Sequence, residues 1–191
     1  MIQHIPCVIL AGGKSSRMGE DKALLPFDKF DTLVEYQYSK LSKIFKNVYI
    51  SSKSNKFNFE AKLILDNENT ISSPMIALKA ILEKFDKKVF IISVDIPFVE
   101  NETIKTLIKE SDCFDITIAS DLNHTHNLCG IYDTNLLTLI SKYIKKDIHK
   151  INFLVKNSNS KTILFDKQSQ FLNINTKEEY NTALNNYKLY K

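Results

Sequence analysis

Leu10-Ala11-Gly12-Gly13-Lys14-Ser15-Ser16-Arg17-Met18-Gly19-Glu20-Asp21-Lys22 follows directly on the short apolar run Ile5 to Leu10. A buried strand running into a double glycine reads as a sharp turn whose backbone can approach a ligand closely. Glycine N–H groups can point at phosphate oxygens with no side chain in the way. Lys14, Arg17 and Lys22 bring three cations to the same segment. Arginine grips phosphate in bidentate fashion and lysine acts on it as a point charge. The stretch therefore predicts a polyphosphate-binding loop at the carboxyl end of a first strand.

Two familiar phosphate loops do not fit. A Walker A loop needs a glycine where Val8 stands, inside the strand. The dinucleotide fingerprint started at Gly12 would need glycine at Lys14.

Outward from the loop, strand-like and helix-like segments alternate. Leu33 to Phe45 carries Leu33, Tyr36, Gln37, Lys40, Leu41 and Ile44 along one mostly apolar stripe at helical spacing. Short strands are predicted at Val48 to Ser51 and Lys62 to Leu65, then a helix over Met75 to Phe85 with Pro74 in its first turn. Val89 to Val94 is almost wholly apolar and β-branched, as expected of a central parallel strand covered on both faces. A helix over Thr103 to Ile108, opened by Asn101, leads to a strand at Asp115 to Ser120, beside which Leu128 to Tyr132 could pair. Helices over Asn135 to Ile144 and Ile151 to Val155, a strand at Thr162 to Phe165, and a helix from Thr176 to Tyr187 complete the reading. Thr176 and Glu179 have the spacing of a capping box. Such alternation implies βαβ units and a mostly parallel sheet. Ligands of such sheets lie beyond the carboxyl ends of the strands.

Asp95 sits at one of those ends, in Ser93-Val94-Asp95-Ile96-Pro97-Phe98. A carboxylate after the most apolar strand faces the same crevice as the glycine turn. Hard oxygen ligands of this kind suit Mg²⁺, which binds one or two carboxylates together with substrate phosphates. The bland alternative is a strand-end turn residue. Asp66, closing Leu63-Ile64-Leu65, admits both readings as well.

At 191 residues, 43% hydrophobic and 25% charged, the chain has the composition of a globular protein with room for one substantial core. No apolar run is long enough to span a bilayer, and no secretory leader is evident. Three scattered cysteines, Cys7, Cys113 and Cys129, argue for free thiols and a cytoplasmic location over a disulfide scaffold. The net charge of +4 is mild. Pairs such as Lys145-Lys146 read as solvated helix faces, and no motif points to nucleic acid. His124, His126 and Cys129 lack the second pair that a zinc site requires.

The string from Leu10 to Phe27 resembles the signature of the molybdenum cofactor guanylyltransferase family, Leu-x-Gly-Gly-x-x-x-Arg-Met-Gly-x-Asp-Lys, at every fixed position from Leu10 to Lys22. Asp95-Ile96-Pro97 is similar to the family's Asp-x-Pro, and Asn173-Ile174-Asn175-Thr176 to its Asn-x-Asn-Thr. The resemblance implies a single nucleotidyltransferase domain over residues 1–191. Its fold would be a Rossmann-like three-layer α/β sandwich with a mostly parallel sheet, of the nucleotide-diphospho-sugar transferase type. It implies transfer of GMP from GTP to molybdopterin, with Mg²⁺ as cofactor and release of pyrophosphate. By the same resemblance Leu10, Ala11, Gly12, Gly13, Lys22, Ser51, Asp66 and Asp95 would line the nucleotide. Arg17, Lys22 and Asp95 would be catalytic, Asp95 would bind the metal, and Asn173 and Asn175 would lie near the pterin. Transient contacts with proteins that donate or accept the cofactor would follow from a labile pterin; no nucleic acid and no membrane are implied.

There are departures. The family's Gly-Pro-Leu-x-Gly is Ser73-Pro74-Met75-Ile76-Ala77 here, and Ser51-Ser52 stands where an asparagine is common. These bear on base specificity more than on reaction type. A cytidylyl- or sugar-phosphate nucleotidyltransferase of the same fold is the nearest alternative, although relatives using CTP tend to read Leu-Ala-Ala-Gly. A non-catalytic nucleotide- or cofactor-binding protein is the second.

Overall fold

The computed structural model describes residues 1–12, 19–65 and 73–189, with side chains through residue 185. Gly13, Arg17 and Asp66 lie outside the described residues. In chain order the elements are β1 (Cys7–Leu10), α1 (Leu33–Ser42), β2 (Val48–Ser52), β3 (Lys62–Leu65), α2 (Pro74–Leu82) and β4 (Val89–Ser93). They continue as α3 (Asn101–Lys109), β5 (Ile116–Ser120), β6 (Thr125–Tyr132), α4 (Leu137–Ile144), α5 (Ile151–Lys156), β7 (Ser160–Leu164) and α6 (Lys177–Leu189).

The strands form one sheet in the order β3-β2-β1-β4-β6-β5-β7. Every neighbouring pair is parallel except those made by β6, which runs antiparallel to both β4 and β5. The expected mostly parallel sheet is thus found. Alternate residues feed two cores, one on each face. Cys7 and Ile9 of β1 and Phe90 and Ile92 of β4 pack with Leu33 and Leu41 of α1, Ile104 of α3 and Ala183 of α6. Val8 and Leu10, with Val89 and Ile91, pack with Met75 and Leu78 of α2, Ile140 of α4 and Leu154 of α5. Strands covered on both faces account for the continuous apolar runs that made β1 and β4 legible. Among the described residues no helix is long and apolar enough to cross a membrane.

Most boundaries fall within a few residues of expectation. Pro74 is at the first turn of α2, and Ser73 caps that helix by accepting the Ile76 N–H at 3.2 Å. Asn101 opens α3 as expected, being its first residue; the cap position before it is Glu100, whose side chain makes no cap bond. One local reading needs correction. Strand β6 starts at Thr125, ahead of Leu128, because the chain bulges: Ile118 pairs with Gly130, while the next residue, Ala119, pairs with His126.

The chain leaves β1 toward β2 on one side and enters β4 on the other. The strand order therefore reverses between β1 and β4, which is where open α/β sheets form a crevice beyond their carboxyl ends. Leu10 and Ser93 are register partners across that pair, and the Val94 N–H donates to the Leu10 carbonyl at 3.1 Å. The chain consequently leaves the ends of β1 and β4 side by side, at Ala11 and Val94.

Candidate functional site

The segment after the glycine turn folds back as a single 3₁₀ turn, Lys22–Leu24, which Asp21 caps by accepting the Ala23 N–H at 3.1 Å. That turn aims Lys22 into the crevice. Its ammonium donates to Asp95 Oδ2 at 3.0 Å, to the Ile174 carbonyl at 3.2 Å and to Asn175 Oδ1 at 2.9 Å. Lys22 and Asp95 keep 17% and 21% of their side-chain surface exposed, enough for a ligand to reach either group. Residues 73 and 152 positions apart from Lys22 thus meet on one cation.

The third segment is held by its helix cap. Glu179 Oε2 accepts from the N–H groups of Asn175, at 2.7 Å, and Thr176, at 2.9 Å, while Thr176 Oγ1 accepts from the Glu179 N–H at 3.2 Å. The expected capping box is present. It leaves the Asn175 side chain turned to Lys22, so capping and site geometry coexist in one motif. The Ile174 N–H also donates to the Asp95 carbonyl at 2.9 Å, tying this segment to the end of β4. Asn173, half-buried, stands next to it.

At the end of β1, Leu10 and Ala11 are buried and Gly12 is exposed. The Ala11 N–H donates to the Ser51 carbonyl at 2.9 Å, and Ser51 is itself fully buried. Ser51 thus supports the start of the glycine turn from the neighbouring strand.

Three side chains that sequence reasoning did not single out as site residues belong to this assembly. Lys56, after β2, bonds the Ala11 carbonyl at 3.1 Å and the Asp21 carboxylate, so it clasps both ends of the glycine turn. Gln37 and Lys40 of α1 bond main-chain carbonyls around Asp95: Gln37 Nε2 to Ser93 at 3.2 Å, Lys40 Nζ to Pro97 at 2.8 Å and to Val99 at 2.7 Å. Burial lowers the Lys40 pKa to about 8, which leaves it mostly protonated at neutral pH. The signal for the α1 pair was on the page, since both sit on a helical stripe that is otherwise apolar.

Among the described residues, the crevice offers the Asp95 carboxylate flanked by the Lys22 ammonium, the Asn175 amide oxygen and the Ile174 carbonyl, beside the exposed Gly12. Among the described residues no group of three or more His, Cys, Asp or Glu could hold a metal. His126 instead bonds Asp121 at 3.0 Å and stacks on Phe171, with ring centroids 4.2 Å apart. A carboxylate such as Asp95, in a crevice left partly open, suits a hard divalent ion that shares substrate phosphates.

An α/β sheet whose switch point brings a lysine and a carboxylate together beside the end of β1 has the architecture of a nucleotidyltransferase. Residues 7–161 match the MobA-like NTP transferase domain, and the chain belongs to that family. It is 43% identical over 182 residues to the molybdenum cofactor guanylyltransferase of Campylobacter jejuni subsp. doylei, covering 94% of this chain and 95% of that one. Against the molybdenum cofactor guanylyltransferase of Helicobacter pylori identity is 37% over 190 residues, 96% of this chain and 94% of the relative. The crystal structure of molybdopterin-guanine dinucleotide biosynthesis protein A from Archaeoglobus fulgidus shares the fold, with a TM-score of 0.82 at 23% identity over 96% of this chain and 99% of that one.

The Lys56 clasp carries an expected result. Lys56→Met and Asp21→Asn should each raise the KM for the nucleoside triphosphate about threefold to tenfold, because the first frees both ends of the expected phosphate loop and the second frees its Asp21 end. The double variant should be no worse than the weaker single. Steady-state kinetics on the three variants check this, and additive losses would show that the two residues act separately.

Proposed function

We propose that the chain transfers GMP from GTP to the terminal phosphate of molybdopterin, releasing pyrophosphate. The observation that carries this reading is the convergence of Lys22, Asp95 and Asn175 on one another at the carboxyl edge of the sheet. The curated relatives named as molybdenum cofactor guanylyltransferases, matched over nearly their whole length, support the substrate pair.

A terminal phosphate oxygen of the acceptor attacks the α-phosphorus of GTP. A new P–O bond forms there, and the bond from that phosphorus to the bridging oxygen of the β-phosphate breaks, sending its electrons to pyrophosphate. A phosphate monoester is already anionic, so the site needs no strong general base. Positioning and charge neutralisation supply most of the rate. Gly12 and Gly13 would offer N–H groups to the phosphates. Lys22 and Arg17 would stabilise the charge that builds on the leaving pyrophosphate. Leu10, Ala11, Ser51 and Asp66 would border the nucleoside, with Asn173 and Asn175 on the pterin side.

Mg²⁺ is the cofactor that the donor chemistry fits best, and Asp95 is the side chain that would hold it. When bound, the ion would neutralise charge on the transferring phosphoryl group. The Lys22 bond to its carboxylate and the Ile174 bond to its carbonyl would orient Asp95 for that task. The three unpaired cysteines support a reducing, cytoplasmic setting. Proteins that deliver the pterin or receive the product would contact this edge transiently.

The test is pyrophosphate release with Mg²⁺ and each of GTP, CTP and ATP, with and without molybdenum cofactor as acceptor. Release that requires both GTP and the acceptor is the expected result. Release with CTP would move the substrate assignment to the cytidylyl alternative. Tight nucleotide binding without any release would sink the enzyme reading.

A further inference from the structure

We propose that Lys40, assisted by Gln37 one helical turn before it, is a positioning residue for the Asp95 carboxylate and acts through the main chain on either side of it. The inference rests on the transferase reading only in taking Asp95 as the metal-holding residue.

The α1 face that meets β4 and its exit turn is otherwise apolar, with Leu33, Val34 and Leu41 fully or almost fully buried. An apolar residue at position 40 would continue that packing at no electrostatic cost. A lysine there must give up most of its hydration, which opposes its charged form. Among the described residues no carboxylate touches it directly, and its hydrogen bonds go to backbone carbonyls, at Pro97 and Val99. Gln37, 1% exposed, bonds the Ser93 carbonyl, and its own Oε1 finds no partner among the described residues. Two costly polar side chains thus serve three carbonyls, and those carbonyls bracket Asp95.

The turn does not need them to stay docked. Val94, Ile96 and Val99 are 4%, 3% and 1% exposed and anchor it by burial. What the α1 bonds add is orientation. They fix the peptide planes before and after Asp95, while Lys22 and Ile174 fix its carboxylate and its carbonyl from the opposite side. Misplacement of a reacting or ligating group by about 1 Å is enough to cost orders of magnitude in rate.

Lys40→Met keeps the length and apolar volume and removes the donor; Gln37→Met does the same one turn earlier. The probe is Mn²⁺ binding in the presence of GTP, counted by the electron paramagnetic resonance of the free ion, beside kcat and KM for GTP. Thermal melts establish that each variant is folded at the assay temperature. Lys40→Met is expected to weaken Mn²⁺ binding about tenfold and to lower kcat about tenfold or more, with KM for GTP within about twofold. Gln37→Met should move the same quantities in the same direction, less far. A helix-to-loop staple would lower only the melting temperature. Mn²⁺ affinity and kcat within about twofold of the parent in both folded variants would overturn the proposal. Should Lys40→Met fail to fold, Gln37→Met decides by the same criteria. If the parent releases no pyrophosphate, the transferase reading fails, while the Mn²⁺ titration still reads the role of Lys40.

Discussion

Asp95→Ala is expected to lower kcat/KM for GTP by about a thousandfold or more, roughly 4 kcal/mol of transition-state stabilisation. The carboxylate has a double function in the proposed mechanism. It is the oxygen donor for the divalent ion, and it holds the Lys22 ammonium at 3.0 Å. Its removal costs little stability. The pair is partly exposed, so its worth is about 1 kcal/mol or less. Lys22 keeps its bonds to Ile174 and Asn175, and the Asp95 carbonyl that anchors Ile174 belongs to the main chain. A folded, nearly inactive enzyme is therefore the expected variant. Asp95→Asn separates the two functions. Its amide oxygen can still accept from Lys22, but the negative charge is gone. Activity as low as in Asp95→Ala means that charge on the metal side is what the reaction uses. Recovery to within about tenfold of the parent means that orienting Lys22 is the larger part. Pyrophosphate release at saturating GTP and acceptor, with a melting curve for each variant, makes the measurement. Parent-like turnover in Asp95→Ala would remove Asp95 from the chemistry altogether.

The parts of this site that sequence reveals are those with a local signature. A strand entering two glycines, an aspartate after a β-branched run, and a threonine three residues before a glutamate each follow from backbone sterics or periodicity within a dozen residues. That is why β1, β4 and the α6 cap were readable, together with Asp95 and Asn175 beside them. What joins them was not readable, because it depends on strand order. Nothing near Lys22 says that its ammonium will reach Asn175; that contact exists only because β1 and β4 are neighbours and the chain returns to the same edge after β7. Lys56 was invisible for the same reason, being one lysine among many until β2 lies beside β1. Gln37 and Lys40 are the intermediate case. Periodicity put them on the buried stripe of α1, and the conflict between their polarity and that position was the clue to partners elsewhere. The β6 bulge was missed because a register shift leaves no period to detect in so short a strand.

That bulge sets up the largest expected loss of stability. Gly130→Ala should destabilise the fold by about 3 kcal/mol or more, lowering the melting temperature by roughly 6–12 °C. Gly130 is paired on both sides, with Ile91 of β4 and Ile118 of β5, at the point where the β5–β6 register shifts. A Cβ there would sit 2.3 Å from the Thr117 carbonyl oxygen and 2.8 Å from the Ile118 Cα. Those atoms are backbone in the middle of the sheet, so no side chain can swing aside to relieve the overlap. One strand must move, and both neighbours of β6 constrain it. Displacement toward β4 would disturb the strand that carries Asp95 at its end. Displacement of β5 would disturb β7, its parallel partner, which leads to the Asn173–Asn175 segment. The expected variant therefore loses activity as well as stability, and the activity loss should persist at temperatures where the protein is still folded. Gly19→Ala is the useful contrast. That glycine has a positive φ of 74° but open space around its Cβ position. Its substitution should cost only about 1 kcal/mol of local strain, with no clash. Chemical denaturation of the two variants separates the cases. Equal losses would mean that backbone conformation, and not strand approach, sets the requirement for glycine at position 130.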